Sequence, residues 1–245
     1  MRLKTRELIA FALISIPLAM GGLPLSIYLI PYYTSELGIS LASIGIIILL
    51  TRVTDVITDP LIGTLSDATP DRFGRRGIWI IFGLPVMGFS TIAVFNPPEQ
   101  VSHLYLFVSV ALLYLGWTLI SIPLSAWAAE LSPDYHERSR ITGARSVAMS
   151  TGLLVVMSMP LVLNYLVGQG FTSLAPAQTG SLQPMLRIVA WAALGCLFVF
   201  GPLLLFVVPH AKFSKKSSIN LREALILVWN NKPFMRLLAA GVTNH

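Results

Sequence analysis

The sequence predicts an all-α polytopic membrane protein, a bundle of six membrane-crossing helices followed by the start of a seventh. Three observations carry this prediction. Of the 245 residues 55% are hydrophobic and 11% charged, where an ordinary soluble domain is about 25% charged, and the mean hydropathy is +0.75. Runs long enough to cross a hydrocarbon core, which takes about 20 helical residues, occur at Leu8–Tyr33, Leu41–Leu65, Ile78–Phe95, Leu104–Ala128, Val147–Val167 and Leu186–Val208, and another begins at Phe234. The basic residues of the connections alternate. Arg2, Lys4 and Arg6 precede the first span, Arg72, Arg75 and Arg76 follow the second, and Arg138, Arg140 and Arg145 follow the fourth. Lys212, Lys215, Lys216, Arg222, Lys232 and Arg236 follow the sixth, whereas 34–40, 96–103 and 168–184 hold no Lys or Arg. The positive-inside rule then puts the N-terminus in the cytoplasm of a multi-pass protein of the cell (inner) membrane. The net charge of +6 reports topology, and no nucleic-acid partner is expected.

A basic start followed by an apolar stretch is also the pattern of a signal peptide. The first run is too long for one and carries prolines and tyrosines where a small-residue cleavage site would stand, so it is expected to remain as a span. Pro17, Pro24 and Pro31 recur every seven residues on one slowly drifting face, with Gly21 and Gly22 between them. That pattern fits a bent helix lining a cavity, and it fits a packing interface of small residues equally well. Tyr28 and Tyr32, at i and i+4, are placed to stack on a ring substrate, with Tyr28 the candidate. Tyr32 and Tyr33, at the span's end, read as anchors at the membrane interface.

The second span holds Arg52, Asp55 and Asp59. At 100° per residue the three fall within roughly 60° of one another, with Gly45 and Gly63 on the same side, so one polar stripe faces the bundle interior or a water-filled cavity. Each such charge costs ~2.5–3.5 kcal/mol at mid-membrane, which makes it a functional candidate. An internal Arg52–Asp55 pair at i, i+3 accounts for two charges and leaves one carboxylate over. A spare carboxylate beside a paired one is what a site needs to bind Na⁺ or a proton and release it. Pro60 frees the carbonyl of Val56, an oxygen suited to a hard cation; a tolerated kink accounts for it too.

The short connections after the first and third spans make antiparallel hairpins. The fourth span carries Trp117, a candidate for substrate stacking, and Trp127, read as core or interface. Residues 1–208 are therefore expected to form a six-helix bundle, 209–233 ("AKFSKKSSINLREALILVWNNKP" from Ala211) a cytoplasmic linker with a short amphipathic helix at Leu221–Trp229, and 234–245 the start of a seventh span. This is the layout of the first half of a two-bundle transporter, so the chain reads as a fragment whose partner is its own missing C-terminal half. Cys196 is the only cysteine, and His103, His136, His210 and His245 stand singly. No cysteine or histidine metal site follows from either, and no cofactor is expected beyond a coupling ion.

"GTLSDATPDRFGRR" (63–76) looks like the loop signature between the second and third helices of major facilitator transporters, carrying an insertion. The longer "RVTDVITDPLIGTLSDATPDRFGRRGIW" resembles the glycoside–pentoside–hexuronide:cation symporters. "YYTSELGISLASIGIIILLTRVTDVITDP" and "AELSPDYHERSRITGARSVAMSTG" extend that resemblance to essentially the whole chain as the N-terminal half. It implies symport of a sugar or glycoside driven by Na⁺ or H⁺. The family's paired carboxylates for the coupling cation match Asp55 and Asp59, and a hydroxyl implicated in cation binding matches Thr118. Its arginine close to the sugar matches Arg145, and an aromatic beside the sugar falls on Trp117, a change from tyrosine. Two acids do not match: the sugar-binding aspartate of the first span falls at Ala19, and an aspartate shared by sugar and cation falls at Ser121, which is kept with the cation set. The missing carboxylates leave the coupling ion open, as site charge count tunes cation affinity.

Asp67, Asp71, Arg72, Arg75 and Arg76, with Glu130, Asp134, Glu137, Arg138 and Arg140, are expected to form ion pairs between neighbouring loops that lock and release the cytoplasmic end as a gate. The same residues also serve as topology-setting flanks. The alternative from another class is a polytopic prenyltransferase using Asp55-x3-Asp59 and Asp67-x3-Asp71 to hold Mg²⁺-diphosphate. Pro60 and the Arg-x-Gly-Arg-Arg loop do not belong to that pattern, and the two pairs lie at different depths.

Overall fold

The computed structural model describes residues 2–70, 74–98, 100–169 and 181–209, apart from the side chains of Leu23, Pro24 and Ser26. Asp71, Arg72, the linker from residue 210 and the expected seventh span lie outside the described residues. Six helical segments among them are long and apolar enough to cross a membrane.

The first is broken. It comprises α1 (Thr5–Leu13), α2 (Ser15–Ile27), the short α3 (Leu29–Pro31) and a π-helical turn at Tyr32–Glu36. Proline explains both breaks. Pro17 has no N–H for the Leu13 carbonyl and the helix divides at Ile14; Pro31 has none for Ile27 and the chain divides at Tyr28. The bent-helix reading of the Pro/Gly series therefore holds, and so does close packing. A Cβ on Gly21 would meet Met87, and one on Gly22 would meet Trp117.

Continuous helices follow: α4 (Leu41–Ala68), α5 (Gly77–Phe95), α6 (His103–Leu131), α7 (Tyr135–Gly168) and α8 (Gln183–Val207). The starts of α4, α6 and α7 are capped by Ser40, Ser102 and Asp134, which accept from the N–H groups of Ser43, Tyr105 and His136. Pro60 does not break α4. The largest departure from the sequence reading is α7, which begins twelve residues before the apolar run at Val147. Its 34 residues span about 51 Å, well beyond a core of about 30 Å. The Asp134 cap and the polar turns after it carry the helix out past the apolar zone, where hydropathy cannot detect it.

Helix α6 packs against α5 and α4, α7 lies along α2 and α1, and α8 joins the two groups through α5, α2 and α1. The α5–α6 seam is tight because Gly116 has no side chain; a Cβ there would lie 2.5 Å from the backbone nitrogen of Met87. Trp127 is core, edge-on to Phe11 at 6.2 Å with its Nε1 donating to the Pro209 carbonyl at 3.3 Å. Tyr32 and Tyr33 are not interface anchors. Both are buried, edge to face at 5.3 Å, and the Tyr33 hydroxyl donates to the Val94 carbonyl at 2.7 Å. The π turn directs their rings inward. The least buried of the six spanning segments are α4 and α7.

Candidate functional site

A cavity of about 560 Å³ opens between α2, α4, α6 and α7, within the size range of small-molecule sites. Into it face Arg52, Asp55 and Asp59 from α4 and Tyr114, Trp117, Thr118 and Ser121 from α6, with Ala19 and Gly22 from α2 and Met149 and Ser150 from α7. The helical periods bring these residues together. Positions 52, 55 and 59 form one stripe on α4, and 114, 117, 118 and 121, at i, i+3, i+4 and i+7, form one on α6.

The charges of α4 divide as their spacing implies. Arg52 Nη1 lies 3.4 Å from Asp55 Oδ2. Asp59 takes a different partner, accepting from the Thr118 hydroxyl at 2.9 Å across the α4–α6 interface. Two carboxylates and two hydroxyls, of Thr118 and Ser121, thus border one cavity, and oxygen donors of this kind suit a hard cation. Arg52 has a second attachment. Its Nη2 donates to the Tyr114 hydroxyl at 2.9 Å, and its guanidinium carbon sits 4.3 Å from the Tyr114 ring centroid. The sequence reading used Trp117, Thr118 and Ser121 and missed Tyr114, although the same helical period that groups those three includes it.

Trp117 lies against α2, where a Cβ on Gly22 would come within 2.5 Å of the indole ring. Two proposed substrate residues stand apart from the cavity. Tyr28 is half-buried against the apolar core and is not among the lining residues. Arg145 is half-buried in the third turn of α7, not at a helix start. Its Nη1 reaches Ser125 Oγ at 3.4 Å, while its Nε is buried without a hydrogen-bond partner. Met149, four residues on, lines the cavity, so Arg145 lies about one turn beyond it toward the basic end of the bundle.

At that basic end the residues grouped as a gate fall into two clusters. Arg76, 7% exposed, bridges Asp67 and Glu130 at 2.6 Å each and donates to Ser66 Oγ at 2.8 Å; Arg75 lies 3.6 Å from Asp67. Burial alone lowers the Arg76 pKa, but its bonds to Glu130 and Asp67 outweigh this and hold it above the ordinary arginine value. Glu137 and Arg138 belong elsewhere. Buried Glu137 accepts from the Leu3 N–H and from Arg140, both at 3.0 Å, pinning the N-terminal segment to α7, and Arg138 Nε donates to the Ser132 carbonyl at 2.7 Å. From the first turn of α7, Glu137 reaches the N-terminal segment and Arg138 the connection between α6 and α7.

A family model described as MFS/sugar transport protein matches residues 10–245. Among curated relatives, the uncharacterized symporter YnaJ of Bacillus subtilis is 31% identical over 71% of this chain and 37% of its own length. The inner membrane symporter YicJ of Escherichia coli is 28% identical over 84% of this chain and 43% of its own. The putative glycoside/cation symporter YagG of Escherichia coli is 30% identical over 57% and 31%. The chain thus spans less than half the length of each. These comparisons give the prenyltransferase alternative no support.

Proposed function

This chain belongs to the MFS/sugar transport protein family, and from that premise we propose that it is the N-terminal half of a cation-coupled symporter that moves a sugar or glycoside by alternating access. One observation carries the reading: two carboxylates, only one of them paired with arginine, face a cavity with hydroxyls and an indole beside them. Carboxylates at membrane depth are costly, and a small cation entering and leaving between Asp55, Asp59, Thr118 and Ser121 gives them a use. Trp117 offers a face for a sugar ring, and Arg52 offers guanidinium donors to its hydroxyls. Arg145, one turn deeper, is assigned to the substrate path. The names of relatives such as YicJ and YagG support symport and a glycoside class of substrate. The coupling ion is Na⁺ or H⁺, and the protein is a transporter and not an enzyme.

In this reading residues 1–208 form one bundle, 209–233 a cytoplasmic linker and 234–245 the start of a second bundle, with the N-terminus cytoplasmic in an inner membrane. The Asp67–Arg76–Glu130 cluster then lies on the cytoplasmic side and acts as the gate. Cation binding stabilises the conformer that holds substrate, and by linkage the substrate raises cation affinity equally. The test is uptake of radiolabelled glycosides by vesicles carrying the full-length protein, with and without an imposed Na⁺ or proton gradient. Accumulation against the sugar gradient is expected in the wild type and is lost in Asp59→Asn, which retains downhill exchange. Full uphill accumulation by Asp59→Asn would overturn the reading.

A further inference from the structure

Tyr114 holds Arg52 twice, through its hydroxyl at 2.9 Å and its ring at 4.3 Å. The contact with Asp55 is the looser one, at 3.4 Å. Both partners face the same cavity, and the Arg52 side chain is 58% exposed. The guanidinium is therefore shared between an anion on its own helix and a neutral aromatic on the next.

A cation that takes Asp55 as a ligand competes with Arg52 for the charge of that carboxylate, and two positive charges at one carboxylate repel. The 3.4 Å contact of Arg52 with Asp55 is the one that yields as the cation binds. We propose that Tyr114 is the positioning residue that retains Arg52 at that moment. It keeps the guanidinium in the cavity by one charge-assisted hydrogen bond and a cation–π contact, so that cation binding and the freeing of Arg52 donors toward substrate are one event. This rests on the symport reading and adds to it a route by which the two sites are coupled. Arginine suits the part, since its five N–H donors let one edge stay on Tyr114 while the other is exchanged.

The experiment measures binding of radiolabelled Na⁺ to the purified full-length protein, and proton binding by pH-indicator titration, in the wild type, Tyr114→Phe, Arg52→Gln and the double variant. With the hydroxyl gone, Arg52 stays on Asp55, and the cation concentration for half-saturation rises about tenfold in Tyr114→Phe, the fold-change that one hydrogen bond to a charged group carries. In the Arg52→Gln background the same substitution changes nothing, because no guanidinium competes. An equal rise in both backgrounds would mean that the Tyr114 hydroxyl acts on the cation directly, and no rise in either would mean that it has no part; both outcomes overturn the proposal. A merely structural role for Tyr114 would lower thermal stability in both backgrounds without this non-additivity. A wild-type protein that binds neither Na⁺ nor protons at this site removes the symport reading itself, and this proposal with it.

Discussion

Gly22→Ala is a one-atom perturbation with a geometric consequence that can be worked out. The new Cβ would stand 2.5 and 2.8 Å from two carbons of the Trp117 ring, where carbon atoms rest at about 3.5–4.0 Å. One side must move by about 1 Å. The α2 backbone is held against α7, since Gly152 already lies against the Ile16 carbonyl. The indole moves instead, into the cavity it lines. Forcing a group into space already used costs about 1–3 kcal/mol, here at the expense of the substrate's room and not of the fold. The half-saturating concentration for glycoside uptake should therefore rise about 5–150-fold, more for bulky aglycones than for free sugars, with thermal stability close to wild type. Adding Trp117→Phe, a smaller ring, should restore much of the loss. Competition between glycosides of graded size in the uptake assay reads the effect. Unchanged size selectivity in Gly22→Ala, or no rescue by the smaller ring, would refute the assignment of Trp117 as a cavity wall held by Gly22.

Glu130→Ala should destabilise the protein by about 3 kcal/mol, the lower end for losing one partner of a buried ion pair because Asp67 still answers Arg76, and Asp67→Asn, at a 64% exposed side chain, should cost under about 1 kcal/mol; thermal unfolding in detergent that ranks the two equally would count against the buried bridge. Gly116→Ala places a methyl against the Met87 backbone, which cannot move without parting α5 from α6. A sharp loss of monodisperse protein on size exclusion is expected, and wild-type yield and melting temperature would sink that packing claim.

The placement of the spans, and the charged stripe on the second of them, were legible in the sequence because both depend on the chain locally. A residue in a membrane helix meets lipid or protein according to its own polarity and its angle on that helix, and Arg52, Asp55 and Asp59 share an angle whatever surrounds them. Prolines 17 and 31 likewise mark breaks in their own helix. Hydropathy failed where polarity and helicity separate: the first three turns of α7 are polar and helical together, so Glu137 and Arg138 were grouped with the loops of the gate and Arg145 was counted among the basic residues between spans. Tyr32 and Tyr33 were misplaced because a π turn, invisible to a period of 3.6, rotates their rings inward.

What the tertiary structure decided is which stripe meets which. By itself the sequence determined that α4 carries two carboxylates and one arginine on a single face, and that this face needs an answer. Only packing gave the answers, Thr118 to Asp59 and Tyr114 to Arg52, and only packing withheld Tyr28 from the cavity. Local spacing sets the angle of a side chain about its own helix axis. The rotation of one helix against the next is set by the summed fit of their surfaces, down to the missing Cβ atoms of Gly22 and Gly116, and no single stretch of sequence contains that sum.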